Sequence, residues 1–149
     1  MGLARGALED FALLASERTT SSTVPLRDRP EIQLEYGRAE AITAGARAAC
    51  LSAIDTAWEA FADPDNVPAD LDRILAYARL AITSALTEAV RAIDILLRAA
   101  GTAGVFRTAG LERRFRDVHV AAQHAAGQDL HIRDAGRVLL GIHTGVPYV

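Results

Sequence analysis

Apolar residues recur every three or four positions through almost the whole chain, the spacing that lines them up on one face of a helix. Leu3, Ala7, Phe11, Leu14 and Ala15 form the first such stripe and predict a helix over about Leu3 to Arg18. The hydroxyl run Thr19 to Thr23, closed by Val24-Pro25, ends it, because Ser and Thr offer the backbone competing hydrogen bonds. A second helix begins near Arg29-Pro30, where Pro30 suits a first helical position. Ile32, Tyr36, Ala39, Ile42, Ala46 and Phe61 mark its apolar face as far as about Ala62. Asp63-Pro64-Asp65-Asn66-Val67-Pro68 is a turn-forming cluster that stops it. The period resumes from about Ala69 to Ala100 with Leu71, Ile74, Ala78, Ile82, Leu86 and Leu97, and Gly101 supplies a C-terminal stop. A fourth helix is predicted after Gly110, through Arg116 and His124, pausing near Gly127-Gln128-Asp129. A short final helix follows from Leu130 to Leu140, and Gly141 to Val149 is predicted to be irregular.

Two helices of about 30 residues would each run roughly 45 Å at 1.5 Å per residue. Helices that long with alanine-rich faces pack against partner helices, within a bundle or across a subunit interface. The expectation is one all-α domain over residues 1–149, an antiparallel helical bundle with a short extra C-terminal helix, which self-associates.

Composition agrees with this pattern. Half of the 149 residues are apolar and only 5% aromatic. Ala, Leu, Glu and Arg lose little rotamer freedom in a helix. The formal net charge of −3 and the absence of a basic, aromatic-studded face argue against a nucleic-acid partner. A single cysteine, Cys50, excludes an intramolecular disulfide and any multi-cysteine metal site, and its neighbours Ala48, Ala49 and Leu51 predict a small buried hydrophobe. The opening Met1-Gly2-Leu3-Ala4-Arg5 runs quickly into Glu9 and Asp10, unlike a secretory signal. No apolar run approaches the roughly 20 residues of a membrane span. A cytoplasmic chain without a membrane partner is expected.

Candidate chemistry concentrates in the last third. Leu111 to His124 holds Glu112, Arg113, Arg114, Arg116, Asp117, His119, Gln123 and His124. On a continuous helix Asp117 and His124, seven apart, would point the same way. His131 would extend that line only through Gly127, which opposes it. His119 and His124 are five apart and do not share a face, so no metal site is expected there. A histidine near neutral pKa is a plausible general acid or base, although spacing alone favours a structural or solvent-facing His124. Asp117 is expected to pair with Arg113 or Arg114 at helical spacing. Arg18, Arg27 and Arg29 flank the first linker as possible anion grips, and Gly101-Thr102-Ala103-Gly104 could turn backbone N–H groups toward a phosphate.

These residues together resemble a known family. Ala99-Ala100-Gly101-Thr102-Ala103, then Leu111-Glu112-Arg113, Arg116-Asp117 and Gln123-His124, resemble the C-terminal domain of the acyl-CoA dehydrogenase superfamily, on the side of its flavin-dependent monooxygenases. Gly2 to Leu8, Arg18, Leu26 to Pro30, Gln33 and Gly136 to Gly141 fit the same domain, so the resemblance covers nearly the whole chain.

The resemblance implies a four-helix bundle building a dimer of dimers, preceded in full-length members by an N-terminal helical domain and a β-domain. Both are expected to be missing here. It implies that Arg18 reaches the flavin phosphate region across the subunit interface, that Gln33 belongs to the same surface, and that Gly101 and Thr102 lie in a loop near the cofactor. Dehydrogenase members carry a catalytic glutamate shortly after the Arg-Asp pair; Ala125 stands at that position, so proton abstraction by a carboxylate is disfavoured. Monooxygenase members carry a histidine where His124 stands, beside the reactive face of the flavin, to support a flavin hydroperoxide or deprotonate the substrate. The full-length protein would take reduced FMN or FAD from a separate flavin reductase. The isolated chain is expected to hold no flavin and to be inactive. The other reading is a free-standing helical oligomerisation module without catalysis.

Overall fold

The computed structural model describes residues 1–17, 24–63, 65–105 and 110–142. Every regular element among them is helical: α1 (Gly2–Glu17), α2 (Pro30–Ala60), α3 (Leu71–Ala100), α4 (Leu111–Ala122) and α5 (Asp129–Leu139). Tight 3-10 turns occupy Leu26–Asp28, Gly101–Val105 and Ala125–Gly127. The all-α expectation holds. The fifth helix is hardly an accessory: it has 11 residues against 12 in α4.

Local chemistry explains the helix ends. Pro30 occupies the first turn of α2, where its missing N–H costs nothing. Gly101 closes α3 with φ +58°, ψ −144°, a backbone that only glycine adopts without strain. Gly110 precedes α4 at φ +73° for the same reason.

α3 is the column on which α1, α2, α4 and α5 all pack, and α1 also meets α4. The core gathers where α1, the start of α2, the end of α3 and α4 converge. Leu8, Phe11, Ile93, Leu96, Leu111 and Val118 are fully buried there. Alanines fill the spaces between them: Ala4, Ala7, Ala39, Ala89, Ala92 and Ala100 are buried in the same cluster. Small side chains let the helix axes approach closely, while Phe11, stacked on Tyr36 at 5.9 Å, is the largest side chain fully buried among them.

The remainder of the α2–α3 hairpin is different. In α2 only Ala60 is buried beyond Thr43. Leu51, Ile54 and Trp58 recur at helical spacing, so they share a face, and all are exposed, Trp58 by 79%. Phe61 and Tyr77 add to the exposed apolar surface of the same hairpin. Cys50 is half-buried rather than enclosed, because no described helix covers the outer side of α2. No described helix is long and apolar enough to cross a membrane.

Candidate functional site

The fourth helix stops two residues before His124. α4 ends at Ala122, and His124 stands in extended backbone, φ −62°, ψ 145°, at the head of the Ala125–Gly127 turn. The expectation of a continuous helical face joining Asp117 to His124 therefore fails. The physical reason is a side-chain cap: the His124 Nδ1 accepts the Ala126 N–H at 3.2 Å, which favours the turn over another helical residue. The turn then packs tightly. A Cβ on Gly127 would lie 2.9 Å from the Ala122 carbonyl oxygen and 3.2 Å from Leu86 Cδ1.

Three elements hold this turn. Thr83 on α3, with no exposed surface, donates its hydroxyl to the Ala126 carbonyl at 3.0 Å. His131 on α5 places Nε2 2.8 Å from the Ala125 carbonyl, so that nitrogen carries a proton. The Gly127 N–H donates to the His124 carbonyl at 2.8 Å. The His124 side chain itself is exposed.

Beside the turn lies a cleft of about 350 Å³ between α3 and α4, lined by Leu86, Val90, Asp94, Arg98, Ala122 and Gly127. On its α4 side, His119 donates from Nδ1 to the Phe115 carbonyl at 2.8 Å and faces Asp94 Oδ1 with Nε2 at 3.7 Å. That Asp94 oxygen is buried and makes no hydrogen bond among the described residues. Asp117 pairs with Arg113 at 3.6 Å, as helical spacing predicts. Arg114 does not join them; it donates to Asp10 on α1 instead.

Gln33 lines a second cleft, of about 290 Å³, between α1 and the start of α2, with Phe11, Ile32, Tyr36 and Arg27. Its Nε2 donates to the Arg27 carbonyl at 3.1 Å. The two clefts share no lining residue. Gly101 and Thr102 are exposed at the end of α3. Arg18 lies outside the described residues. Gln33 thus lines one cleft, Gly101 and Thr102 share the turn that ends α3, and His124 stands at the turn after α4. Among the described residues no group of His, Cys, Asp and Glu is arranged to hold a metal ion.

Helices packed around a central α3, whose end is capped by glycine, and a histidine-bearing turn after α4 make up this helical domain. Residues 1–129 match the family described as acyl-CoA dehydrogenase, C-terminal domain, and the chain belongs to that family. It is similar to the indole-3-acetate monooxygenase of Pseudomonas putida, with 32% identity over 142 residues. That match takes in 95% of this chain but 36% of the relative's length.

Sequence reasoning missed Thr83, Asp94 and the roles of Asp10 and Arg114. A buried threonine in an otherwise alanine-rich stripe of α3 is the one signal that was available for Thr83. The others depend on contacts between distant segments.

Proposed function

We propose that this chain is the C-terminal, oligomerising and flavin-contacting part of an acyl-CoA dehydrogenase-like flavin-dependent monooxygenase. The observation that carries this reading is the family membership combined with similarity to a monooxygenase over 95% of the chain. The turn after α4 supports it: His124 is exposed there, and Ala125 stands where dehydrogenases of the family would need a carboxylate.

The residues fit the rim of a flavin site rather than a whole one. A cleft of about 290 Å³ is at or below the small end of ligand pockets, roughly 300–1,000 Å³. Gln33 and Arg27 offer polar groups at one edge of it, with Phe11 and Tyr36 as the apolar wall. Arg18 would add the positive charge a phosphate needs. Gly101 and Thr102 would let backbone approach the cofactor closely. A reduced flavin, FMN or FAD, delivered by a flavin reductase, would supply the electrons and the activation of O₂. His124 would hold or donate a proton at Nε2 beside it. The rest of the pocket, and the substrate specificity, would come from an N-terminal helical domain and a β-domain outside this chain. Without them it would bind no flavin and turn over nothing.

The exposed stripe of Leu51, Ile54 and Trp58 supports self-association as a dimer or tetramer. It equally favours the second reading, a free-standing oligomerisation module without catalysis. The chemistry separates them. Any in-frame coding region found ahead of this chain would be expressed joined to it and assayed for oxidation dependent on reduced flavin and O₂. A product that forms a tetramer yet neither binds flavin nor consumes O₂ leaves only the oligomerisation module.

A further inference from the structure

The two histidines around the turn are connected through one peptide unit. A trans peptide carries its C=O and N–H on opposite edges of one plane. In the unit joining Ala125 to Ala126, His131 Nε2 donates to the oxygen at 2.8 Å, and the N–H on the other edge points to His124 Nδ1 at 3.2 Å. The next unit is fixed in the same way. Thr83 Oγ1 donates to the Ala126 oxygen at 3.0 Å, and the Gly127 N–H donates to the His124 carbonyl at 2.8 Å. Two successive peptide planes are thus held at both edges, by α3, by α5 and by His124 itself.

A backbone N–H can only donate, so the ring nitrogen it meets must be bare. A neutral His124 then carries its proton on Nε2, the nitrogen turned away from the turn. Donation from His131 into the Ala125 carbonyl polarises the whole unit and makes its N–H a stronger donor to His124. We propose that His131, with Thr83 behind it, is a positioning residue that sets the tautomer of His124, so that the exposed ring edge is an Nε2–H donor and not a free base. Resting on the flavin-side reading of His124, this selects between the two roles that reading allows: His124 gives a hydrogen bond to a developing anion and does not deprotonate the substrate through Nε2. Using Nε2 as a base would require the proton on Nδ1, directly against the Ala126 N–H.

The test needs no cofactor. The chain, labelled with ¹⁵N, would be examined by NMR in mildly alkaline buffer, where imidazoles are neutral. The expected result is a bare, pyridine-type Nδ1 in His124 with a scalar coupling across the hydrogen bond to the Ala126 amide nitrogen. His131→Leu and Thr83→Val should lose that coupling. His131→Gln and Thr83→Ser keep a donor at each place and should retain it. A wild-type His124 protonated on Nδ1 overturns the proposal without any variant. Persistence of the coupling in folded His131→Leu overturns the part assigned to His131. Because no flavin is present, failure to bind flavin elsewhere leaves this result untouched, and the two readings fail separately.

Discussion

Arg114 of α4 donates from Nε to Asp10 of α1 at 3.0 Å, and each partner rests against a glycine of the opposite segment. A Cβ on Gly6 would sit 2.6 Å from the Arg114 guanidinium carbon, and one on Gly110 would sit 2.8 Å from an Asp10 oxygen. The pair ties the first helix to the fourth across 104 residues of sequence, and the glycines are the space it occupies.

Two glycine-to-alanine changes should therefore behave differently. Gly45 lies in α2 with nothing within 4 Å of a would-be Cβ. Gly45→Ala should stabilise the chain by about 0.5–1 kcal/mol through helix propensity alone. Gly6→Ala should gain the same amount and lose it again, because the arginine must leave Asp10 to make room. Urea denaturation of both variants checks this. An equal gain in the two would show that the Asp10–Arg114 pair contributes nothing.

Phe11 is the largest of the fully buried side chains and faces both α2 and the core. Phe11→Ala should cost about 3–5 kcal/mol, the range for removing a buried aromatic. Domains are stable by about 5–15 kcal/mol in total, so the variant should melt far below the wild type. Calorimetry would read the difference; a loss under about 1 kcal/mol would mean that α1 is not docked as described.

The pair Arg5–Glu40 joins α1 to α2 through two hydrogen bonds of 2.8 and 2.7 Å. Hydrogen bonding from Arg5 holds the Glu40 carboxyl below its usual value, with burial opposing. An acid with a lowered folded pKa binds its proton more readily in the unfolded chain. Its stabilisation is complete above the ordinary glutamate value of about 4.3 and is lost as pH falls through the lower folded value. Both side chains are substantially exposed, so solvent screening keeps the effect within about 1 kcal/mol. Stability curves of wild type and Glu40→Gln should stand apart at neutral pH and converge in acid. Curves that stay parallel would remove the pair from the acid response.

If the chain is part of a flavin-dependent monooxygenase as proposed, His124→Ala in that protein should lower oxygenation about 10²–10⁴-fold, the range for a lost proton-transfer or donor group. Sedimentation of the assembly should not change, since the side chain is exposed. Normal turnover in that variant would end the catalytic assignment.

The helices themselves are legible from periodicity because each needs only neighbours three and four residues away. Gly101 and Pro30 mark the ends where a covalent property decides. His124 escaped for a physical reason. Nothing between Ala122 and Ala126 is a helix breaker by composition, and histidine is not among the usual capping residues. Beyond the His124 cap, the turn is held by hydroxyl donation from Thr83, 43 residues away, and by His131, six residues on in the next helix, to its two carbonyls. Cys50 escaped likewise: the α2 stripe that carries it is apolar enough for a core, but it stays half-buried because no described helix covers it. Arg114 has Asp117 at helical spacing and pairs with Asp10 instead, a choice only tertiary packing makes.

Trp58 is the only tryptophan in the sequence, and it sits on the bare side of the α2–α3 hairpin, away from the buried cluster of α1 and α4. The chain thus carries an optical reporter wired to one surface. Its emission should start red, as in water, stay nearly unchanged when the core melts, and move to the blue only when something settles onto that hairpin. Intrinsic fluorescence would then be a poor thermometer of folding in this protein and a direct gauge of docking.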